Sequence, residues 1–279
     1  LYETVRMLLQ EEKGKMQVKT ADGVDLYYEV VGQGPALVFA HGAGGNSASW
    51  YQQVPYFSQN YTTLVFDHRG FGRSNFAEDE FNTQYFADDL KVILDHAGID
   101  KATLVCQSMG GWTGINFALA NPQRVTALVM SHTIGAISSP EIVTIMQTAA
   151  QAREQDSHPF GSLALAIDLP DRDPVKAYLY QRIGRFNTGI NLGKILSGKR
   201  GQVNGVKPEQ LSKLTMPVLF ITSLQDRLIP AVAVHLAADL IENAAVAHFD
   251  EVGHSSYFEC ADQFNALLSD FLDTGLEGF

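Results

Sequence analysis

The chain reads Cys106-Gln107-Ser108-Met109-Gly110-Gly111 at the junction between a short apolar run and a helical pattern. A sharp turn from strand to helix exposes a serine hydroxyl above a sheet, provided that the flanking residues are small. Gly110 meets this requirement, whereas Cys106 stands where the usual G-x-S-x-G pattern has glycine. We therefore predict a nucleophilic Ser108, with the backbone N–H of Met109 as one donor to a developing oxyanion. The alternative is a serine that only caps the helix.

Short apolar runs without alternation recur on both sides of this turn. They cover residues 36–40, 63–66, 102–106, 125–130, 218–221 and, less regularly, 244–249. Such runs are typical of strands that are buried on both faces. Helical patterns lie between them, as at 83–97 and at 110–120, where Pro122 should end the helix. We predict an α/β fold with a mostly parallel sheet and helices on both faces. An antiparallel hairpin of residues 16–20 and 25–31 should precede it.

Residues 138–205 interrupt this alternation. They contain no convincing buried strand pattern, and their helical stretches, 142–153 and 176–186, are broken by Gly and Pro. We interpret the segment as a helical cap inserted into one core, which consists of residues 1–137 and 206–279. Most of its large apolar side chains should pack on the core and a minority should line a pocket; they are Phe160, Leu163, Leu165, Ile167, Tyr178, Tyr180, Phe186 and Ile190.

A second motif, His41-Gly42-Ala43-Gly44-Gly45, follows the apolar run that ends at Ala40. Glycines allow the backbone to approach a ligand closely. We expect the second oxyanion donor at Ala43, with Gly44 as the near alternative, and substrate contacts at Gly42, Gly44 and Trp112. A tryptophan at this point, one turn into the predicted helix, is more often a core residue than a substrate contact. A flexible turn and a phosphate loop are the other interpretations, but neither G-x-x-x-x-G-K-[ST] nor G-x-G-x-x-G is present here.

An acid and a base follow the last two apolar runs. Asp226 comes just after the run at 218–221, and His254 comes just after the run at 244–249. Because ligands of open α/β sheets bind beyond the carboxyl ends of the strands, both residues should lie on the same edge as Ser108. The order Ser, Asp, His is the one expected for a serine on such a turn. We predict that His254 is the base and Asp226 the orienting acid, with the loop after Met130 as the alternative location of the acid.

On these residues the chain resembles the α/β-hydrolase superfamily, and specifically its serine esterase and lactonase-like branch with a helical cap. Residues 67–74 (DHRGFGRS) also resemble the D-x-R-G-x-G-x-S segment of that branch. The resemblance implies an eight-stranded, mostly parallel sheet with the cap inserted after the sixth strand. It also implies hydrolysis of a carboxylic ester or lactone through an acyl-enzyme on Ser108. Carbon–carbon bond hydrolases, perhydrolases and slow-turnover ligand receptors on this fold remain alternatives.

The composition restricts the partners of the chain. Its 279 residues include 31 acidic and 20 basic side chains, a net charge of −11, which argues against nucleic acid or an anionic membrane as a partner. The charge and the apolar cap favour a small to medium, neutral and moderately apolar substrate. No run of about twenty apolar residues predicts a membrane span. We expect a monomer or a homodimer.

Cofactors and secretion signals have no support in the sequence. Neither H-E-x-x-H nor a cysteine cluster predicts a metal, and hydrolysis by a triad needs no cofactor. Cys106 and Cys260 are too few for a disulfide framework, and residues 1–15 lack the apolar stretch of a signal peptide. We therefore expect a cytoplasmic protein without metal or cofactor.

Overall fold

The computed structural model describes residues 16–74, 82–154, 163–187 and 205–279. Their eight strands form one sheet in the order β1-β2-β4-β3-β5-β6-β7-β8. The strands are β1 Met16–Lys19, β2 Asp25–Val31, β3 Ala36–Ala40, β4 Thr62–Phe66, β5 Ala102–Gln107, β6 Val125–Ser131, β7 Val218–Ser223 and β8 Ala244–Phe249. β2 pairs antiparallel with β1 and β4, and all other pairs are parallel. The predicted α/β class, the opening hairpin and the mostly parallel sheet are confirmed.

The central strands are buried because helices cover both faces of the sheet. Every residue of β5 and β7 is buried. Leu104 and Cys106 pack into one apolar cluster, while Val105, between them, packs into the other. This alternation follows from the period of two in a strand, which sends successive side chains to opposite faces. Since burial of one such side chain contributes roughly 1.5–3 kcal/mol, the two clusters fix the strand order and register firmly.

The helices occupy the segments between the strands and the segment after β8. The α-helices are α1 Val54–Phe57, α2 Phe86–His96, α3 Gly110–Ala120, α4 Pro140–Glu154, α5 Leu169–Arg172, α6 Pro174–Gly184, α7 Ala231–Ala238, α8 Ser256–Glu259 and α9 Ala261–Thr274. α2 buries Leu90, Ile93 and Leu94, the spacing of one helix face. α3 ends before Pro122, as predicted. In the described ranges, no helix has both the length and the apolar character that a membrane crossing demands.

The inserted segment lies between β6 and β7, and its described helices are α4, α5 and α6. Its two ends meet where Ile137 and Val206 form an isolated parallel bridge. There, Ser138 N donates to Val206 O at 2.8 Å, and Val206 N donates to Ala136 O at 2.9 Å. The chain therefore leaves the sheet and returns to it at one point.

The apolar side chains predicted for this segment divide into two groups. Leu163 and Leu165 are buried and Tyr180 is half-buried, so these three pack inward. Three others are more than half exposed and do not pack on the core: Ile167, Tyr178 and Phe186. Phe160 and Ile190 lie outside the described residues.

Candidate active site

The turn that carries Ser108 joins β5 to α3 in a strained conformation. Ser108 has a φ of 51°, in the left-handed region that costs a residue with a side chain roughly 1–2 kcal/mol. The turn is held because Ser108 N donates to Ser131 O at 2.9 Å. A Cβ at Gly110 would overlap with the carbonyl oxygen of Ala40, so only glycine allows α3 to approach β3. The sequence requirement for a small residue after the serine thus has a direct steric cause.

Cys106 fits at the other small position because the helix opposite it also lacks a side chain. A Cβ at Gly114 would overlap with the Cys106 Sγ atom, so the sulfur occupies space that Gly114 leaves free. The thiol is fully buried, and burial raises its pKa far above the ordinary value. A thiol in that state is inert packing rather than a nucleophile. Cys106 and Cys260 are both free.

Asp226 and His254 meet beyond the carboxyl ends of β7 and β8. His254 Nδ1 donates to Asp226 Oδ2 at 2.8 Å. The other carboxylate oxygen, Oδ1, accepts from the backbone N–H groups of Leu228 at 2.8 Å and Ile229 at 2.9 Å. Burial alone would raise the pKa of Asp226, but the charge of His254 and the histidine hydrogen bonds outweigh it and hold that pKa well below its usual range. The carboxylate is therefore ionised throughout the neutral range.

A second histidine bonds the same carboxylate, and the sequence reasoning missed it. His132 Nδ1 lies 2.9 Å from Asp226 Oδ2, and His132 Nε2 lies 2.9 Å from Ser256 Oγ. His132 directly follows β6, the strand next to β7, and it has a φ of 52°. Its place immediately after a buried strand is the signal that could have found it, because Ser108 is placed in the same way.

Ser108 and His254 belong to adjoining loops, although no hydrogen bond joins their side chains. Gln107 Nε2 donates to His254 O at 3.2 Å, which ties the serine turn to the histidine loop. His254 Nε2 is buried without a hydrogen-bond partner among the described residues. Because Nδ1 carries the proton that bonds Asp226, Nε2 has a free lone pair that can accept a proton. Catalytic hydrogen bonds are often long or unmade before substrate binds.

The predicted oxyanion donors lie in one small apolar cluster. Ala43, Met109 and Trp112 pack there with two buried phenylalanines, Phe71 and Phe86. Among the residues with described positions, neither the Ala43 N–H nor the Met109 N–H has an acceptor. Trp112 is half-buried and packs against the same cluster. Unpaired N–H groups of this kind are what a developing oxyanion requires.

The glycines of the second motif hold this loop close to the serine turn. Gly42 lies against Ser108, because a Cβ on Gly42 would be 3.0 Å from the Ser108 Cβ and would overlap with the Gln107 side chain. Gly44 has a φ of 86°, which favours glycine. Asn187, which follows α6, donates from Nδ2 to the carbonyl oxygens of Gly44 at 2.9 Å and Gly45 at 3.1 Å. The inserted segment thus holds the loop that carries Ala43.

The inserted segment also contacts the histidine loop. A side chain at Gly253 would overlap with the backbone at Leu165 and Ala166. Glu259 bridges the two, since Oε1 accepts from Gly253 N at 2.9 Å and Oε2 accepts from Ala166 N at 3.0 Å. Burial raises the pKa of Glu259 to about 7, although these two N–H groups and Arg172 oppose the rise.

Metal ligation has one candidate among the described residues, the group of His132, Asp226 and His254, whose ligand atoms lie within 4.8 Å of one another. Those same atoms already form two hydrogen bonds, at 2.8 and 2.9 Å. A zinc ion would need about 2.0–2.2 Å to each nitrogen and oxygen ligand and would displace both protons. In the structure these atoms form a hydrogen-bonded cluster.

Known proteins resemble the chain over nearly its whole length. A family model described as the alpha/beta hydrolase fold matches residues 35–160. The 2-hydroxy-6-oxononadienedioate/2-hydroxy-6-oxononatrienedioate hydrolase of Paraburkholderia xenovorans is 29% identical over 280 residues, covering 92% of this chain and 94% of that protein. The 3-oxoadipate enol-lactonase 2 of Acinetobacter baylyi is 29% identical over 256 residues, covering 88% and 92%. The solved structure of Est816, described as an N-acyl homoserine lactone degrading enzyme, matches with a TM-score of 0.76 and 27% identity, covering 92% of this chain and 100% of that one.

Proposed function

Because the chain belongs to the α/β-hydrolase superfamily, we propose that it is a serine hydrolase that cleaves a small to medium carboxylic ester or lactone through an acyl-enzyme on Ser108. The observation that carries the proposal is the hydrogen bond from His254 Nδ1 to Asp226 Oδ2, at the sheet edge where Ser108 stands on its strained turn. This bond leaves His254 Nε2 as the free base beside the serine turn.

Acylation follows from these groups. His254 Nε2 takes the proton of the Ser108 hydroxyl while Oγ attacks the carbonyl carbon of the substrate. The carbonyl oxygen becomes an oxyanion, which the N–H groups of Ala43 and Met109 stabilise. Asp226 stabilises the charged imidazole and keeps its Nδ1 proton in place. When the tetrahedral intermediate collapses, His254 returns the proton to the leaving alcohol oxygen, and the acyl group stays on Ser108.

Deacylation repeats these steps with water. His254 Nε2 takes a proton from a water molecule, whose oxygen attacks the acyl carbon while Ala43 and Met109 again hold the oxyanion. The carbon–oxygen bond to Ser108 then breaks, and His254 gives its proton back to the serine oxygen. The products are a carboxylic acid and an alcohol, or a hydroxy acid when the substrate is a lactone.

We propose further that the acyl group is uncharged. Leu163 and Ala164 of the inserted segment pack with Leu228 into an apolar cluster beside the Asp226 loop. The half-buried Arg153 already donates to Leu228 O at 2.8 Å, and Asp226 offsets its charge. The net charge of −11 also repels an anionic substrate at long range.

Carbon–carbon bond hydrolysis is the second candidate, and one comparison favours it. The Paraburkholderia xenovorans relative is named as the hydrolase of a 2-hydroxy-6-oxo dioate, at the same 29% identity as the enol-lactonase. Such a reaction would use the same serine, histidine and oxyanion donors on a ketone carbonyl. A comparison of kcat/KM across substrate classes separates the two functions. The substrates are chromogenic esters, lactones and a 2-hydroxy-6-oxo dienoate, each with neutral and acidic acyl groups. Ester or lactone activity below that on the dienoate would reject the first candidate.

Covalent labelling tests the nucleophile. A fluorophosphonate probe should add one phosphonyl group to the peptide that contains Ser108, as read by mass spectrometry, and should abolish turnover. Ser108→Ala should be neither labelled nor active. Ser58→Ala, which changes another buried serine, should retain both labelling and activity. Labelling of Ser108→Ala, or turnover near the wild-type rate, would exclude the acyl-enzyme on Ser108.

A further inference from the structure

The buried imidazole of His132 takes no part in the proposed acylation or deacylation, yet both of its ring nitrogens form hydrogen bonds. Nδ1 lies 2.9 Å from Asp226 Oδ2, the same oxygen that bonds His254, and Nε2 lies 2.9 Å from Ser256 Oγ. The residue has no exposed surface, and its ring stands nearly edge-on to that of His254, with centroids 5.6 Å apart. The triad carboxylate thus has two histidine partners, one more than the mechanism uses.

The bonding partners determine which ring nitrogen of His132 carries the proton. An ionised carboxylate only accepts, so Nδ1–H of His132 must donate to Asp226. Burial lowers the pKa of His132, which keeps the ring neutral. Nε2 then has a lone pair and accepts from the hydroxyl of Ser256. The result is a directed chain of hydrogen bonds from Ser256 through His132 to Asp226.

The backbone at His132 is strained in the same way as at Ser108. Its φ of 52° lies in the left-handed region, and its N–H donates to Ile221 O on β7 at 2.7 Å. Such strain persists where the surrounding structure over-determines it, often at functional sites. Here it turns the chain at the end of β6 so that the ring reaches the carboxylate beyond β7.

We propose that His132 is a positioning residue, which holds the Asp226 carboxylate in the orientation that bonds His254 and shares its negative charge. This inference rests on the proposed function of the triad. Four N–H donors surround the carboxylate: Leu228 and Ile229 bond Oδ1, and the two histidines bond Oδ2. With all four in place the carboxylate cannot rotate. Without His132, Asp226 Oδ2 keeps only the hydrogen bond from His254. The carboxylate can then rotate more freely, and more of its negative charge stays on Oδ2.

Two substitutions separate the hydrogen bond from the backbone strain. Asparagine and glycine both accept a left-handed φ, so neither adds strain at position 132. The Asn Nδ2–H group occupies the place of the imidazole Nδ1–H and keeps the donor, whereas Gly removes it. His132→Asn should retain kcat within about threefold, and His132→Gly should lose on the order of tenfold or more in kcat with KM little changed, as expected for a hydrogen bond to a charged group.

The pH dependence of kcat/KM distinguishes a positioning role for His132 from a purely structural one, because loss of a purely structural residue would leave it unchanged. In His132→Gly, Asp226 interacts more strongly with protonated His254, so the acid limb of kcat/KM should move to higher pH. Arg153 of α4 and Tyr180 of α6 also interact electrostatically with Asp226, and both are unchanged in these variants. His132→Asn should keep the wild-type limb.

Nuclear magnetic resonance tests the hydrogen bond without turnover. Protein labelled with ¹⁵N should show solvent-protected imidazole Nδ1–H resonances from His132 and His254, beside those of other buried histidines such as His41, whose Nδ1 lies 2.8 Å from Gly42 O. The His132 resonance should disappear in His132→Gly and persist in Ser108→Ala. If no protected resonance of the wild type disappears in His132→Gly, the inference is overturned. The inference would also be overturned if His132→Asn and His132→Gly lost kcat equally and the acid limb of kcat/KM stayed at its wild-type pH in both. Wild-type activity that a chelator removes and zinc restores would overturn it as well, because the cluster would then be a metal site. Failure of the probe to label Ser108 would reject the proposed function and leave the resonances as the test of His132.

Discussion

Replacing Asp226 by asparagine should stop the reaction while leaving the protein folded, because the surrounding donors allow only one orientation of the amide. An asparagine has one accepting oxygen and one donating NH₂ group, but Asp226 receives four N–H groups. If the amide oxygen faced the histidines, the backbone N–H groups of Leu228 and Ile229 would be buried without partners. At about 1–3 kcal/mol for each, that orientation would cost roughly 2–6 kcal/mol.

The opposite orientation of the amide avoids this cost, but it prevents His254 from acting as the base. The amide oxygen then keeps both backbone donors, and the two amide hydrogens donate to the Nδ1 atoms of His132 and His254. Each ring must move its own proton to Nε2 to accept them, and His132 can then donate to Ser256 Oγ. His254 Nε2, now protonated, can no longer take the serine proton. The same change in a serine protease triad lowers kcat by about 10⁴, or roughly 5 kcal/mol in activation free energy.

The assay compares kcat on a chromogenic ester with the free energy of unfolding in urea. We expect Asp226→Asn to lose about 10⁴ in kcat and no more than about 3 kcal/mol in stability. Asp89→Asn, which changes a buried carboxylate paired with Arg69, should lose stability while retaining kcat. Activity of Asp226→Asn within tenfold of the wild type would refute the tautomer argument. Unfolding of this variant would show that the amide cannot donate to the two histidine rings in place of accepting from them.

Two further predictions concern the contacts of the inserted segment. Asn187→Ala removes the Nδ2 group that donates to the carbonyl oxygens of both Gly44 and Gly45. We expect kcat for a chromogenic ester to fall about tenfold with little change in KM, which is less than the 10²–10³ that loss of an oxyanion donor costs. An unchanged kcat would show that the loop does not need this contact. Glu259 keeps in the folded protein a proton that the unfolded chain loses near pH 4.5, so the free energy of unfolding should fall by up to roughly 3 kcal/mol between about pH 4.5 and 7. Glu259→Gln should flatten that dependence in urea titrations at a series of pH values, and an equal slope in both proteins would contradict the assignment.

Local patterns in the sequence were sufficient for the sheet and for three of the site residues. Apolar runs of four to six residues mark strands buried on both faces, and their ends agree with the structure to within two residues. Ser108, Asp226 and His254 each lie two to five residues beyond the end of such a run. Parallel strands bring their carboxyl ends to one edge, so a residue just after a buried strand is placed by the strand itself. The steric requirement at Gly110, in contrast, comes from a tertiary contact, since a Cβ there would overlap with the Ala40 carbonyl oxygen on β3.

The sequence by itself thus determined the α/β class, the order of the elements and the three residues that we assign to the triad. Only the tertiary structure decided which further side chains surround them. His132 lies 94 residues from Asp226 and reaches it because β6 and β7 are neighbours in the sheet. Asn187 reaches Gly44 across 143 residues because the inserted segment folds back over the loop. No local periodicity encodes such pairs, since they depend on strand order and on how packed elements meet, and these follow from burial of the whole core.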